Sequence, residues 1–340
     1  MDSLSQIVLG AACGEVVLGR KIGNKAQLIG AIAGTLPDLD ILMNPFFSEE
    51  IIKIQIHRSY SHSMLVLLLL SFPLAWITHR LFKKEISYKG WYLLWSLALV
   101  THALLDCCTT YGTQFFLPFT HFLVGFNNIA VLDPFWTLPF MFILGICLFM
   151  RRENPNRMKF AIASIVYATL YMGYTVVNKY NVHEKFETSL DQQHIFHETL
   201  YTSPSMFNNW LWAGIAVTND TIYLAEYSTL QSETAVPWLA YERNLSVLEN
   251  HPAQREIKIL QWFSQGKYFV REVNGEIHFF IVKWGRSDYR KTEPHEAFVF
   301  YWRIFQENDE WKAAPVQPTW ENGEFRDAWN ALWHRVVTAN

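Results

Sequence analysis

The sequence predicts an α-helical integral membrane domain of about four to six membrane helices, followed by a soluble α+β domain with an antiparallel sheet. Hydrophobic residues make up 51% of the chain and charged residues only 17%, against roughly 25% charged in soluble domains. Residues 1–179 hold 14 Lys/Arg and 10 Asp/Glu, whereas residues 180–340 hold 14 and 21. We therefore predict a membrane domain over 1–180 and a soluble domain over 181–340.

Long runs without charge indicate the membrane helices. Uncharged residues number 21 between Arg58 and Arg80, 16 between Lys89 and Asp106, 17 between Asp133 and Arg151, and 19 between Lys159 and Lys179. These lengths are at or just under the roughly 17 to 25 residues that cross a bilayer. The first sixty residues contain two shorter apolar stretches rich in Gly and Ala, 3–18 and 26–36. They favour a helix hairpin packed through small residues.

Basic connections predict how the helices cross the membrane. The positive charges occur in three loops: Arg20, Lys21 and Lys25; Lys83, Lys84 and Lys89; and Arg151, Arg152, Arg157 and Lys159. The positive-inside rule places these loops on the cytoplasmic face. Alternating helices then put Asp38, His57, Asp106 and everything after Lys179 on the opposite face. The soluble domain is therefore expected to be extracytoplasmic.

The second half has the pattern of a mixed domain that faces water. The segments 222–228, 268–273 and 277–285 are rich in aromatic and β-branched residues and partly alternate, as half-buried strands do. Asn274 and Gly275, between the last two, predict a hairpin turn. A helix is expected near 251–265. The chain has no basic stretch, so we expect no nucleic-acid partner.

Three polar segments interrupt the membrane half: "GTLPDLD" (34–40), "HRSYSHS" (57–63) and "THALLDCCTTYGTQ" (101–114). In the third, His102 and Asp106 are four residues apart and project from one face of a helix. That spacing lets one helix offer a nitrogen and a carboxylate to a single metal ion. A polar pair that hydrogen-bonds between helices is the alternative.

The first segment carries two carboxylates near a predicted helix end. Pro37 disfavours helix for Leu36, so the helix should end there and place Asp38 and Asp40 on a turn. Either Asp alone is explained by a turn or a helix cap. Two unpaired carboxylates so close to the membrane repel each other unless a cation lies between them.

The second segment carries two histidines five residues apart. We expect His57 on the entering loop and His62 in the first helical turn, with both imidazoles directed toward one point. Ser61 is the candidate N-cap of that helix. Arg58 is then free to contact an anionic group through its planar guanidinium.

Together the three segments supply a mixed nitrogen and oxygen ligand set: Asp38, Asp40, His57, His62, His102 and Asp106. Such a set suits zinc, manganese or iron and exceeds one tetrahedral site. A two-ion site about 3.5 to 4 Å across would use all six. We predict one or two divalent ions, with zinc as first choice. A polar network that only holds helices together is the alternative.

Several stretches resemble the motifs of the YdjM/YbcI-type membrane-bound metal-dependent hydrolases over about residues 1–180. They are "MDSLSQIVLGAACGEVVLGRKIG", "AGTLPDLD", "HRSYSHS", "LLDCCTTYGTQFFLPF" and "VLDPFWTLP". The resemblance implies a multi-pass inner-membrane protein with hydrolase activity. Some family members have His near the amino terminus, where this chain has Gln6. Glu15 matches a family position and is either a ligand or a partner of one, and Asp133 is expected to cap a helix.

The leading hypothesis is a metal-dependent hydrolase at the outer membrane–water boundary. Its partners would be membrane lipid and a small-molecule or lipid substrate, with a lipid phosphoester as the first candidate. Asp40 would act as general base and Arg58 would stabilise the developing negative charge. The second hypothesis is a metal-stabilised membrane scaffold or sensor without catalysis. Ion transport ranks last, because the polar residues cluster at one face.

Overall fold

The computed structural model describes residues 1–82, 86–231, 236–298, 301–316 and 324–338. The chain forms two compact units, each with its own hydrophobic core. The first contains Met1–Phe46 and Ile56–Thr175, and the second contains Phe47–Gln55 and Val176–Asn340. Lys83 and Lys84, on which part of the predicted orientation depends, lie outside the described residues.

The α-helices of the described residues are α1 (Ser3–Ile22), α2 (Asn24–Thr35), α3 (Glu50–Ile56), α4 (Met64–Leu81), α5 (Tyr88–Cys107), α6 (Pro134–Gly145), α7 (Pro155–Gln192), α8 (Gln254–Ser264), α9 (Pro294–Ala297) and α10 (Glu324–Val337). Short 3-10 helices cover Leu36–Phe46 after α2, Tyr60–His62 before α4, Ile146–Phe149 after α6, and Leu245–Leu248. The first two of these contribute side chains to the candidate site.

Three helical segments among the described residues are long and apolar enough to cross a membrane: Asn24–Phe46, Met64–Leu81 and Pro155–Gln192. Pro134–Phe149 is apolar but shorter. Helices α1 and α5 have 20 residues each, and buried polar side chains such as Glu15 and His102 lower their mean hydropathy. The predicted count of four to six spans is therefore not confirmed.

Helices α1 and α2 form a hairpin that is closely packed at two pairs of glycines. Gly10 and Gly14 face Gly30 and Gly34, and a Cβ on Gly30 would lie 2.1 Å from the carbonyl oxygen of Gly10. Small residues at this four-residue spacing let membrane helices approach closely. Gly23, with φ +60°, makes the turn between the helices. The packing through small residues agrees with the prediction.

Two helix starts near the site differ in how well they were predicted. Ser63, and not Ser61, is the N-cap of α4, and its hydroxyl accepts a hydrogen bond from the Val66 N–H. The prediction for Ser61 was wrong because a 3-10 turn intervenes and directs that hydroxyl toward Asp40. Asp133 caps α6 as expected, with its carboxylate accepting from two N–H groups of the first turn.

Two four-stranded antiparallel sheets form most of the second unit, where the sequence predicted one. The first contains β1 (Thr199–Pro204), β2 (Leu211–Val217), β3 (Thr221–Ser228) and β4 (Leu239–Glu242); the second contains β5 (Tyr268–Val273), β6 (Glu276–Ile281), β7 (Tyr301–Glu307) and β8 (Glu310–Val316). In each sheet every strand pairs with the next along the chain.

The two sheets share one apolar core. Ile215 and Leu224 from the first sheet belong to the same buried cluster as Phe269 and Phe280 from the second. This shared core explains the dense aromatic content of the strands, because each inner face must fill the space between the sheets. The predicted strands at 222–228 and 268–273 match β3 and β5. The turn between β5 and β6 has positive φ at both central residues, as the Asn-Gly pair predicts.

Candidate metal centre

All three polar segments meet in the first unit, around four side chains: Asp38, His62, His102 and Asp106. Helix α2 ends at Thr35, and Asp38 lies in the 3-10 helix that follows. His62 ends the short 3-10 helix before α4. His102 and Asp106 lie one turn apart on the same face of α5 and are fully buried. The hypothesis that the segments converge agrees with this arrangement.

The four donor atoms have the spacing of a tetrahedral ion site. His62 Nε2 lies 3.0 Å from Asp106 Oδ2 and 3.5 Å from Asp38 Oδ1. His102 Nε2 lies 3.6 Å and 3.4 Å from the same two oxygens. Four donors at about 2.0–2.1 Å from a tetrahedral zinc ion lie about 3.3–3.4 Å from one another. The observed separations are therefore close to those of a tetrahedral site, and all four donor atoms lie within 4.8 Å of one another.

Outer hydrogen bonds direct both imidazoles toward the centre of the group. His102 Nδ1 donates to the carbonyl oxygen of Gly34 at 2.6 Å. His62 Nδ1 donates to Ser61 Oγ at 2.9 Å, and Ser61 Oγ donates to Asp40 Oδ2 at 2.8 Å. With Nδ1 protonated, a neutral imidazole presents a lone pair at Nε2.

The two Nε2 atoms, of His62 and His102, are 3.1 Å apart. With both rings neutral and protonated at Nδ1, two lone pairs face each other at this distance and repel, and a cation bound between them would remove the repulsion. The surroundings of the Asp106 carboxylate also favour a bound cation. Its Oδ1 accepts from Gln6 Nε2 at 3.0 Å and contacts the α-amino group of Met1. Its Oδ2 is buried and faces two nitrogen atoms, His62 Nε2 at 3.0 Å and Arg58 Nε at 3.3 Å, without a well-directed hydrogen bond to either.

Asp40 and His57 lie beside the four-residue group and not within it. His57 Nδ1 and Asp40 Oδ1 are 3.0 Å apart, and Asp40 Oδ2 also accepts from the Arg58 N–H at 2.8 Å. The His57 and His62 ring centres are 6.3 Å apart. The His57 side chain is 30% exposed, whereas that of His62 is fully buried. The structure thus divides the six predicted ligands into four convergent donors and one adjacent pair.

Arg58 is not free, in contrast to the expectation that it waits for an anionic group. Its guanidinium is buried, with Nε 3.3 Å from Asp106 Oδ2 and Nη1 donating to Thr109 Oγ1 at 3.1 Å. Its carbon Cζ lies 4.9 Å from the centre of the Tyr111 ring. The positive φ of Arg58, +57°, brings its own N–H to Asp40. The sequence offered no spacing signal for this fold-back.

Two residues of the third segment were not singled out by sequence reasoning. Tyr111 packs edge-on against His57, with ring centres 5.2 Å apart, and Thr109 binds Arg58. The only signal was their position in the polar stretch after Asp106. Both contribute to the walls around His57 and Arg58.

Glu15 lies outside the donor group. Its carboxylate forms a buried two-point pair with Arg157, at 2.6 Å for both contacts, and accepts from Gln27 Nε2 at 2.8 Å. The sequence left open whether Glu15 joins the site; in the structure it is paired with Arg157 instead. Gln6, nine residues earlier on α1, contacts the site through Asp106.

Fold and site together define the class: a helical membrane protein with a buried His2Asp2 group able to hold a metal ion, joined to a two-sheet domain. The chain belongs to the YdjM inner membrane protein family, whose model matches residues 1–182. This confirms the resemblance, and with the apolar helices it supports an inner-membrane location.

Similarity to one curated protein extends through both units. YfhP of Bacillus subtilis (strain 168), described as an uncharacterized protein, is 26% identical over 320 residues. The match covers 88% of this chain and 90% of YfhP. No solved structure matches the chain.

Proposed function

We propose that this protein is a metal-dependent hydrolase of the membrane–water boundary that acts on an amphipathic phosphoester. One observation carries the proposal: a partly exposed histidine, His57, is held by a carboxylate immediately beside a buried group of four metal-type ligands. A purely structural ion site does not require such a proton-transfer group at its border.

Asp38, His62, His102 and Asp106 are the proposed ligands of a single ion. Their mixed nitrogen and oxygen donors and near-tetrahedral spacing favour zinc, with manganese or iron as alternatives. A divalent ion held there would supply Lewis acidity toward a substrate oxygen. We prefer one ion to two, because Asp40 and His57 already bind each other.

His57 is the proposed proton-transfer residue. Imidazole can accept a proton from an attacking water and donate one to a leaving group. Asp40 orients the ring through Nδ1, which leaves Nε2 available for the reaction. Asp40 also accepts from Ser61, the partner of His62. Asp40 is then a positioning residue for His57, and not the general base expected from the sequence.

Arg58 balances the charge of the site. Its guanidinium is the cationic side chain nearest Asp106 among the described residues, and its backbone N–H binds Asp40. A buried carboxylate without a compensating cation is costly. Arg58 therefore stabilises the ionised carboxylates, and through them the negative charge that develops during hydrolysis.

Exposed apolar side chains near the site support an amphipathic substrate. In the 3-10 helix that carries Asp38 and Asp40, four consecutive or near-consecutive residues are exposed: Leu39, Ile41, Leu42 and Met43. In the loop after α5, Phe119, Phe122 and Phe126 are between 57% and 80% exposed. Surfaces of this kind suit acyl chains, while the carboxylates and histidines face the polar head group.

We further propose that the site and the second unit are extracytoplasmic. Arg152 donates to the backbone oxygen of Lys21 at 3.0 Å, so two of the basic loops lie together at one end of α1. Gln6, at the site, is 15 residues away along this helix, a rise of about 22 Å. A membrane-impermeant thiol reagent should label a cysteine placed at the exposed residue 196 from outside intact cells.

The second candidate function is a metal-stabilised scaffold or sensor. It is favoured by the number of donors, because four protein ligands can close a tetrahedral site, whereas a catalytic site keeps a position open. Of the four, Asp38 is the most exposed, at 20% of its side chain. A ligand that leaves during turnover would reconcile the closed set with catalysis.

The two functions differ in the effect of His57→Gln. The detergent-purified full chain is assayed for metal content by mass spectrometry and for hydrolysis of a set of lipid phosphomonoesters and phosphodiesters. For a hydrolase, His57→Gln keeps the ion and loses roughly 10²- to 10⁴-fold in rate, while Asp106→Asn loses the ion. Bound metal without hydrolysis, together with unfolding on chelation, supports the scaffold. Folded wild type that binds no zinc or manganese contradicts both.

A further inference from the structure

The second unit carries an exposed aromatic surface that the candidate site does not use. Phe207, in the β1–β2 loop, packs edge-on against Trp329 of α10 with ring centres 5.0 Å apart. Phe325 stacks on Trp329, and Trp333 continues the row along the helix. Phe325 is 62% exposed, and Met206 in the same loop is 48% exposed. We call Met206, Phe207, Phe325 and Trp329 the aromatic patch.

The loop that carries the aromatic patch is hydrogen-bonded to α7 at one position along that helix. Asn178 of α7 donates through Nδ2 to the side-chain oxygen of Asn209, 3.0 Å away, in the β1–β2 loop. Asn178 is the last residue of an uncharged run of 19 that ends before Lys179. This run belongs to a helical segment apolar enough to cross a membrane. The loop that carries the patch is therefore bound where the chain leaves its apolar stretch.

The opposite end of the same sheet carries a polar turn and an exposed aromatic side chain, Phe196. Helix α7 extends 14 residues beyond Asn178, a rise of about 21 Å. There, the N–H of Glu198 donates to the carbonyl oxygen of Val217, so the start of β1 and the end of β2 lie together. The β2–β3 turn at this end reads Thr-Asn-Asp. The loops near Asn178 are the set that brings the four side chains of the aromatic patch together.

We propose that the aromatic patch lies in the membrane–water interface and holds the second unit against the bilayer surface. Tryptophan and other amphipathic aromatic side chains are favoured at this level of a membrane. An exposed apolar surface of this kind can also indicate a protein partner. We favour lipid because the loop that carries the patch is bound to α7 where the apolar stretch of that helix ends. The proposal is independent of any catalysis in the first unit.

The test compares two exposed phenylalanines of the same unit. Cysteine is introduced at Phe325→Cys and, as the matched control, at Phe196→Cys, which follows the far end of α7 and replaces a side chain that is 79% exposed. The native cysteines are first replaced by alanine: Cys13, Cys107, Cys108 and Cys147. Each variant of the full chain is labelled with nitrobenzoxadiazole in lipid nanodiscs, after its thermal unfolding midpoint has been matched to wild type.

Lipids brominated on the acyl chain should quench the label at position 325 roughly twofold, because an interfacial surface is buried about 5–10 Å into the headgroup and acyl boundary. The label at position 196 should be unaffected by brominated lipid and should be quenched by aqueous iodide. Equal iodide quenching at both positions would overturn the proposal, since the patch would then face water. Protection of position 325 from both quenchers would also overturn it, because a second copy or another protein would then cover the patch.

Discussion

The close packing of α1 against α2 at their glycines is predicted to affect the metal affinity of the candidate centre. Gly30 packs against Gly10, and Gly34, one turn further along α2, supplies the carbonyl oxygen that accepts from His102 Nδ1. The substitution Gly30→Ala adds one methyl group at the crossing and changes no residue of the site. If helix packing positions His102, this methyl group should weaken ion binding.

The size of the effect follows from the distances. The alanine Cβ would lie 2.1 Å from the Gly10 oxygen, and real Cβ contacts essentially never fall below 3.0 Å, so α2 must move by about 1 Å at a cost of about 1–3 kcal/mol. A shift of this size along the hydrogen bond from His102 to Gly34 would lengthen it from 2.6 Å to about 3.6 Å, beyond hydrogen-bonding range. Loss of such an outer partner typically lowers metal affinity 10- to 100-fold.

Ion content after dialysis against graded chelator, read by mass spectrometry, gives the affinity, and thermal unfolding in detergent gives the stability. Gly173→Ala in α7 is the matched control, because no atom lies within 4 Å of a Cβ at that position. We expect the control to behave as wild type. Wild-type affinity and stability in Gly30→Ala would refute the reasoning, as would an equal loss in both variants.

Three further predictions concern single contacts. Ser61→Ala should lower metal affinity about tenfold or more, because His62 Nδ1 loses its partner. Glu15→Gln should cost about 3–5 kcal/mol in the free energy of unfolding, because it leaves Arg157 buried without its carboxylate. Burial lowers the pKa of Lys267 to about 8. The folded state therefore loses this proton before the unfolded state does, and stability should rise between about pH 8 and pH 10.5, by about 3 kcal/mol in all.

Each of these predictions has its own control. Ser61→Thr keeps the hydroxyl and should keep the ion, so equal losses in both serine variants would argue against the hydrogen bond. Replacing Glu15 and Arg157 together by leucine and methionine should cost much less than Glu15→Gln alone, measured by denaturant unfolding. Lys267→Met should remove the pH-dependent gain; a gain of unchanged size in that variant would assign it to other groups.

Local sequence patterns predicted many of the helices and strands of this protein and one face of the candidate site. Uncharged runs and small residues indicated the helical membrane half, because lipid requires apolar side chains and closely packed helices require glycine. Alternating aromatic residues and the Asn-Gly turn predicted β3, β5 and the hairpin, since each depends on neighbours in the sequence. The four-residue spacing of His102 and Asp106 indicated one ligand face, because helix geometry alone sets it.

The tertiary structure decided what depends on distant contacts. A backbone turn with positive φ at Arg58 directs the side chains of His57 and Arg58, and no spacing rule predicts that turn. The turn places His57 beside the four donors and directs Arg58 toward Asp106. Glu15 is paired with Arg157, 142 residues away. The second sheet and the packing of Phe207 against Trp329 of α10 likewise depend on how strands and helices far apart in sequence pack together. Local composition predicts single helices and strands, because these depend on neighbouring residues. The contacts between them depend on how residues distant in sequence pack together in the folded chain.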